Sequence, residues 1–322
     1  MVGAQLIFDL TAGGQKVRAM CRSTSKMDVV NRIFSADLSR LNNVEWVTGD
    51  VNDIFSIEDA LEGVDTVYHT AALISFHASD QARMNHVNVD GTANMVNMAM
   101  EKKVKRFCHV SSVAAIGRAA GNSAVTETSV WKTSKENSNY AISKYAGERE
   151  VWRAIEEGLP AFIVNPTIII GPGDWNVGST QMFSSVAKGL KFYATGSTGF
   201  VDVRDVSKAA IQLNAKGIVG QRYILNAENL PYKTVFNTIA RELGKPDATI
   251  KVTPLMGEIG WRVEGVKSFL LGKKSLITRE TVRNGGMDWE YSNAKVCKEL
   301  GFSFIPIAQS VKDTAKYFAI KS

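Results

Sequence analysis

The chain has 322 residues, 45% hydrophobic and 22% charged, the balance of a folded globular protein, which excludes a disordered or collagen-like chain. Its net charge of +6 is dispersed, and the densest basic cluster, Lys102-Lys103 with Lys105-Arg106, ends a predicted helix and complements its dipole there, so nucleic acid is not an expected partner. Cys21, Cys108 and Cys297 are far apart without disulfide or zinc spacing, so no metal site is expected; with no signal peptide and no apolar run near the ~20 residues that cross a bilayer, the expectation is a cytoplasmic protein without a membrane partner.

In chain order, Gly3 opens a helical pattern over residues 4–10, with Leu6, Ile7 and Leu10 on one face, and Gly13-Gly14 ends it before a strand at 16–21. A glycine at a helix start, followed by a strand, fits the turn that presents helix amides to a pyrophosphate. It fits an ordinary surface helix equally well. Further short strands rich in β-branched and aromatic residues are predicted at 44–48, 66–69, 107–111 and 161–165. Longer helical patterns separate them, among them 89–100 with Met95, Val96 and Ala99 on one face. Strand–helix alternation of this kind forces parallel pairing. After Pro166 the alternation weakens, glycines and aromatics cluster between residues 171 and 199, and one more strand appears at 222–225. The fold class expected is therefore α/β: a Rossmann-type doubly wound parallel sheet over residues 1–165, to which about 202–225 returns. Residues 166–201 and 226–322 form a smaller substrate-binding domain.

Three features follow one another in an order that carries chemistry: Ser112 at a strand end, Tyr140 and Lys144 at the start of a helix, and Asn165-Pro166-Thr167 after the next strand. Ligands of open α/β sheets bind beyond the carboxyl ends of the strands, which puts Ser112 at the crevice. Tyr140 and Lys144 are one helical turn apart, so a lysine ammonium on the same face favours the phenolate and can bring the tyrosine into range for proton exchange near neutral pH. The Tyr-x-x-x-Lys spacing also occurs at Tyr291 with Lys295 and at Tyr317 with Lys321. Position separates them, since only Tyr140 follows a strand-end serine and opens a long helix. Ser112 taken alone reads as a strand-cap hydroxyl, and Tyr140 with Lys144 as a half-buried tyrosine beside a snorkelling lysine.

Together these residues resemble the extended short-chain dehydrogenase/reductases, the group that includes nucleotide-sugar epimerases and dihydroflavonol reductase-like or 3β-hydroxysteroid dehydrogenase-like enzymes. Gly49-Asp50-Val51 is similar to the adenine-contacting acidic segment of that family, Thr70-Ala71-Ala72 to its loop beside the cofactor, and Asn88-Val89-Asp90-Gly91-Thr92 to its helix-opening motif. Individually, Asp50 also suits a turn, the alanine pair close packing, and Asn88 a helix cap. The resemblance implies that Ser112 hydrogen-bonds the substrate oxygen, that Tyr140 is the acid/base, and that Lys144 binds the nicotinamide ribose. It implies further that Pro166 meets the nicotinamide through its backbone and that 171–174 lines the substrate. The segment 200–206 would join the two domains. The family begins with a strand and a T-G-x-x-G-x-x-G loop, of which only the last glycine, Gly3, is present. A preceding segment of roughly ten residues is the expectation, from a strand of about five to six residues plus a glycine turn.

An acidic residue at the end of the second Rossmann strand selects NAD, whereas an arginine there accommodates the 2′-phosphate of NADP. The chain has Cys21-Arg22-Ser23, with Lys26 nearby and no carboxylate before Asp28, so NADP(H) is favoured over NAD(H) through Arg22. The expected function is a hydride-transferring oxidoreductase acting on a small-molecule substrate; a homodimer is left open. A nucleotide-sugar epimerase is the alternative within the family, and a non-catalytic nucleotide sensor or scaffold the alternative of another class. A 4,6-dehydratase is disfavoured, because Ser112 is followed by Val113-Ala114-Ala115 and no acid. The run 113–116 and the aromatics Phe183, Phe192, Tyr193 and Phe200 suit a less polar carbonyl substrate, or a domain core.

Overall fold

The computed structural model describes residues 1–23, 27–117, 124–134, 137–271 and 278–319; Lys26 and Lys321 lie outside them. The chain opens with α1 (Val2–Ala12), turns at Gly14 in the left-handed region (φ 75°), and enters β1 (Val17–Cys21). Then come α2 (Asp28–Phe34), β2 (Val44–Thr48), α3 (Ile54–Leu61) and β3 (Thr66–His69). After α4 (Gln81–Asn85) a π-helical turn at His86–Asp90 runs into α5 (Gly91–Glu101), followed by β4 (Arg106–Val110), α6 (Asn139–Glu156) and β5 (Ala161–Pro166). The remainder comprises β6 (Ile168–Ile170), α7 (Gln181–Ala187), β7 (Phe192–Tyr193), β8 (Ser197–Asp202), α8 (Val203–Ala215), β9 (Arg222–Leu225) and β10 (Glu228–Pro231). It ends with α9 (Tyr232–Glu242), β11 (Ile250–Lys251), α10 (Pro254–Leu271), α11 (Arg279–Gly285), α12 (Ala294–Leu300) and α13 (Ile307–Ala319).

The fold is the Rossmann-like α/β arrangement expected, and the parallel strands of β1–β5 and β9 form two hydrogen-bonded pieces. One is the four-stranded sheet β3-β4-β5-β9, in register Val67 to Phe107, His109 to Ile163 and Val164 to Tyr223. The other is the pair β1-β2. Val96, Ala99, Val151 and Ala154 cover one face of the large sheet from α5 and α6. Val206, Ala209, Ala210 and Leu213 of α8 and Val296 of α12 cover the other. Each fully buried Val or Leu among these contributes about 1.5–3 kcal/mol. α1 is the seam between the two pieces, with Leu6 in the core of the large sheet and Ala4, Ile7 and Phe8 against Val30, Ile33, Phe34 and Trp46 of the β1-β2 unit.

A third core holds the mixed sheet β10-β8-β6 against α7, α9 and α13. Here the structure decides between the two readings of the apolar run and the aromatics. Phe183 and Phe200 are 1% and 0% exposed inside this core, Ile116 packs on Val125 and Ile224, and Phe192 is exposed on β7, so these residues form no common substrate wall. Among the described residues no helix is long and apolar enough to cross a membrane.

Candidate active site

β4 ends at Val110, and Ser112 adopts an extended backbone that caps a short turn, Val113–Ala115, with its hydroxyl accepting from the Ala114 N–H at 3.2 Å. The strand-cap role read from sequence is thus real. The same hydroxyl also faces Tyr140. α6 starts where Ser138 accepts from the Ala141 N–H at 2.9 Å, which places Tyr140 in the first turn and Lys144 one turn further in. The Lys144 ammonium is buried and donates to the Val110 carbonyl at 3.2 Å. With three donors and one partner among the described residues, it retains donors for a ligand oxygen. Phe76, from the segment after β3, packs edge-on against the Tyr140 ring at 5.9 Å.

The electrostatics differ from the sequence expectation in one respect. Desolvation raises the Tyr140 pKa above its ordinary value, opposed by the Ser112 hydroxyl. Burial pulls Lys144 down to about 8, opposed by Glu148. Tyr140 and Lys144 share a helix face, but the ammonium is directed to a backbone carbonyl, so burial and not the lysine dominates the phenol.

Asn88 ties the neighbouring segments together. It is 2% exposed and accepts from the Leu73 N–H at 2.7 Å, while its amide donates to the Leu73 carbonyl at 2.9 Å and to the Ser143 hydroxyl of α6 at 3.0 Å. It therefore fixes the Thr70-Ala71-Ala72 segment to the helix that carries Tyr140. Thr70 meets α1, since a Cβ on Gly3 would lie 2.9 Å from its hydroxyl oxygen, and Ala71 and Ala72 are exposed beyond it. Asp50 forms a turn, accepting from the Asn52 N–H at 3.0 Å, while Val51 is buried where a Cβ on Gly91 would come within 2.5 Å of it. Arg22 is exposed immediately after β1. Pro166 is buried at the end of β5, and the amide of its neighbour Asn165 donates to the Ser112 carbonyl at 3.0 Å.

The competing tyrosines are elsewhere. Tyr291 precedes α12 and bridges to Val125, while Lys295 donates to the Arg222 carbonyl at 3.0 Å; Tyr317 packs in the third core. Of the residues behind the site, sequence reasoning singled out Asn165 and missed His69, His109 and Glu148. His69 and His109 stack with ring centroids 5.2 Å apart, and burial holds both in their neutral form. Glu148 and Asn165 form a buried polar group; the position of Glu148, one turn after Lys144 on the same face, was the available signal.

The NAD dependent epimerase/dehydratase family model matches residues 1–225. Sterol demethylase protein B of Methylococcus capsulatus is 31% identical over 258 residues, covering 79% of this chain and 75% of that protein. Cinnamoyl-CoA reductase 1 of Petunia hybrida is 26% identical over 277 residues, 83% and 74% of the two chains. The crystal structure of gox2253 matches with a TM-score of 0.81 at 29% identity over 100% of this chain and 96% of that one. A nucleoside-diphosphate-sugar epimerase from Pseudomonas aeruginosa shares the fold at a TM-score of 0.77 and 19% identity, over 100% and 95%.

Proposed function

Because the chain belongs to the NAD-dependent epimerase/dehydratase family and is an enzyme, we propose that it is an NADP(H)-dependent reductase of the extended short-chain type, with Tyr140 as acid/base toward a carbonyl of a small molecule. The observation that carries this is the convergence of the Ser112 hydroxyl, the Tyr140 phenol and the buried Lys144 ammonium at the ends of β4 and α6. The residues fit the nicotinamide end of the cofactor. Lys144 keeps donors for ribose hydroxyls, and Pro166 closes β5 next to the Ser112 carbonyl. At the other end, Arg22 stands exposed after β1 for a 2′-phosphate, and the nearest carboxylate in sequence, Asp28, opens α2. When bound, the cofactor supplies the hydride.

The remaining work belongs to the chain. Ser112 donates to the substrate oxygen and holds it near Tyr140. Burial keeps the phenol protonated at neutral pH, the form that delivers a proton to an oxygen gaining negative charge. Lys144 then stabilises the phenolate left behind by its positive charge. Phe76 at the Tyr140 ring gives the reacting carbonyl an apolar neighbour, which supports a substrate less polar than a nucleotide sugar.

Consumption of NADPH with a panel of aldehydes, aryl ketones and nucleotide sugars tests the reading. Tyr140→Phe is expected to lose ~10² to 10⁴ in turnover while cofactor binding persists, and Tyr291→Phe and Tyr317→Phe to retain activity. Wild-type turnover in Tyr140→Phe would overturn the assignment.

A further inference from the structure

Behind the Ser112, Tyr140 and Lys144 cluster lies a polar core that the chemistry above does not use. Glu148 follows Lys144 by one turn of α6 and is 2% exposed. Its Oε2 accepts from the Ser111 hydroxyl and from the Asn165 amide, each at 2.7 Å. Its Oε1 accepts from the Arg222 guanidinium at 3.1 Å and the Trp152 indole N–H at 3.3 Å. Ser111 precedes Ser112, Asn165 precedes Pro166, and Arg222 opens β9, so a single carboxylate ties α6 to β4, β5 and β9. Four donors converging on two oxygens suit a carboxylate, which only accepts, and offsetting so many donors is what makes a buried charge tolerable.

We propose that Glu148 is the positioning residue of this site: it holds the ends of β4 and β5 in register with α6, and it supplies the negative charge that balances Lys144. The inference rests on the reading of Tyr140 and Lys144 given above. The surroundings of Lys144 make the second half specific. From β3 and β4 it is faced by His69 and His109, both held neutral by burial, and from its own helix by the neutral Tyr140. Glu148 supplies the Coulombic attraction that opposes desolvation of the Lys144 ammonium, whose remaining partner is the Val110 carbonyl. A residue that merely filled space or shared hydrogen bonds would leave the charge state of Lys144 unchanged.

The test is a proton titration of the whole chain carrying lysine labelled with ¹³C at Cε, followed by NMR, with Lys144→Met identifying the Lys144 signal. In the wild type that signal is expected to titrate at about 8. In Glu148→Gln it is expected about one pH unit lower, the ordinary influence of an opposite charge close by. A midpoint unmoved to within a few tenths overturns the proposal. Should Glu148→Gln fail to fold, Arg222→Met provides the second arm, because removing the guanidinium leaves the carboxylate field less balanced and moves the Lys144 midpoint upward; no movement again overturns it. Turnover separates this from the underlying reading. An inactive Tyr140→Phe with an unmoved Lys144 titration defeats only the role of Glu148, whereas a fully active Tyr140→Phe with a shifted titration defeats the reading of the site.

Discussion

The two ends of the proposed cofactor site are built in opposite ways. Lys144, Asn88 and Glu148 are buried and each has named hydrogen-bond partners, and three strands and a helix meet within a few hydrogen bonds. Around Arg22 and Asp50 the chain offers side chains on an exposed strand end and a local turn. The difference shows where rigidity is concentrated. Proton transfer needs groups held to a fraction of an ångström, whereas choosing between two cofactors that differ by one phosphate needs only a charge within reach.

The buried end should be the easier to break. Asn88→Leu leaves the Leu73 N–H and carbonyl without their partner, at about 1–3 kcal/mol per buried group, and denaturant unfolding should register a loss of about 3 kcal/mol. A loss below about 1 kcal/mol would mean that solvent satisfies these groups and that the clamp is not real.

Acid should find the same region next. His69, drawn by burial from its ordinary 6.5 down to about 3, binds its proton more readily in the unfolded chain, and so does His109. The unfolded state therefore holds more protons between those values, so stability falls as pH drops through 6.5 toward about 3 and is unaffected by these groups above 6.5. Both ring nitrogens of His109 lack a partner among the described residues, so His109→Phe should flatten this slope without lowering stability at neutral pH. An unchanged slope would assign the acid sensitivity to carboxylates instead.

At the open end the effects shrink. Arg22→Asp is expected to reverse the preference for NADPH over NADH by roughly tenfold, about 1.4 kcal/mol, with stability unchanged. Equal wild-type affinities untouched by the substitution would remove Arg22 from the cofactor site. Smallest of all, Glu45→Ala breaks the Arg18–Glu45 pair at 2.9 Å across β1 and β2, yet Glu45 is well exposed and the loss should stay within about 1 kcal/mol.

The same contrast decides what was legible in the sequence. The strands were readable because short β-branched runs between helical patterns have few other solutions, and β1 through β5 and β9 form within a residue of the expected bounds. Tyr140 was singled out from Tyr291 and Tyr317 by its place after a strand-end serine, and in the fold its phenol meets the Ser112 hydroxyl. The π-turn at His86–Asp90 was not readable; it brings Asn88 inward, and a Cβ on Gly147 would come within 2.2 Å of the Asn88 carbonyl, a contact between segments far apart in the chain. Aromatic clustering left two readings open for a related reason, since Phe183 and Phe200 have the composition of a ligand wall and the burial of a core. Arg222 and Asn165 gave no local hint that they meet on Glu148.

The central place of β4 and β5 in their sheet has its own consequence for how the molecule opens. β4 and β5 each have a hydrogen-bonded neighbour on both sides. Backbone amides of β4 and β5 are thus released to solvent exchange only when the central sheet comes apart as a unit. Slow exchange is therefore expected beneath Tyr140, in the two strands that lead to Ser112 and Pro166.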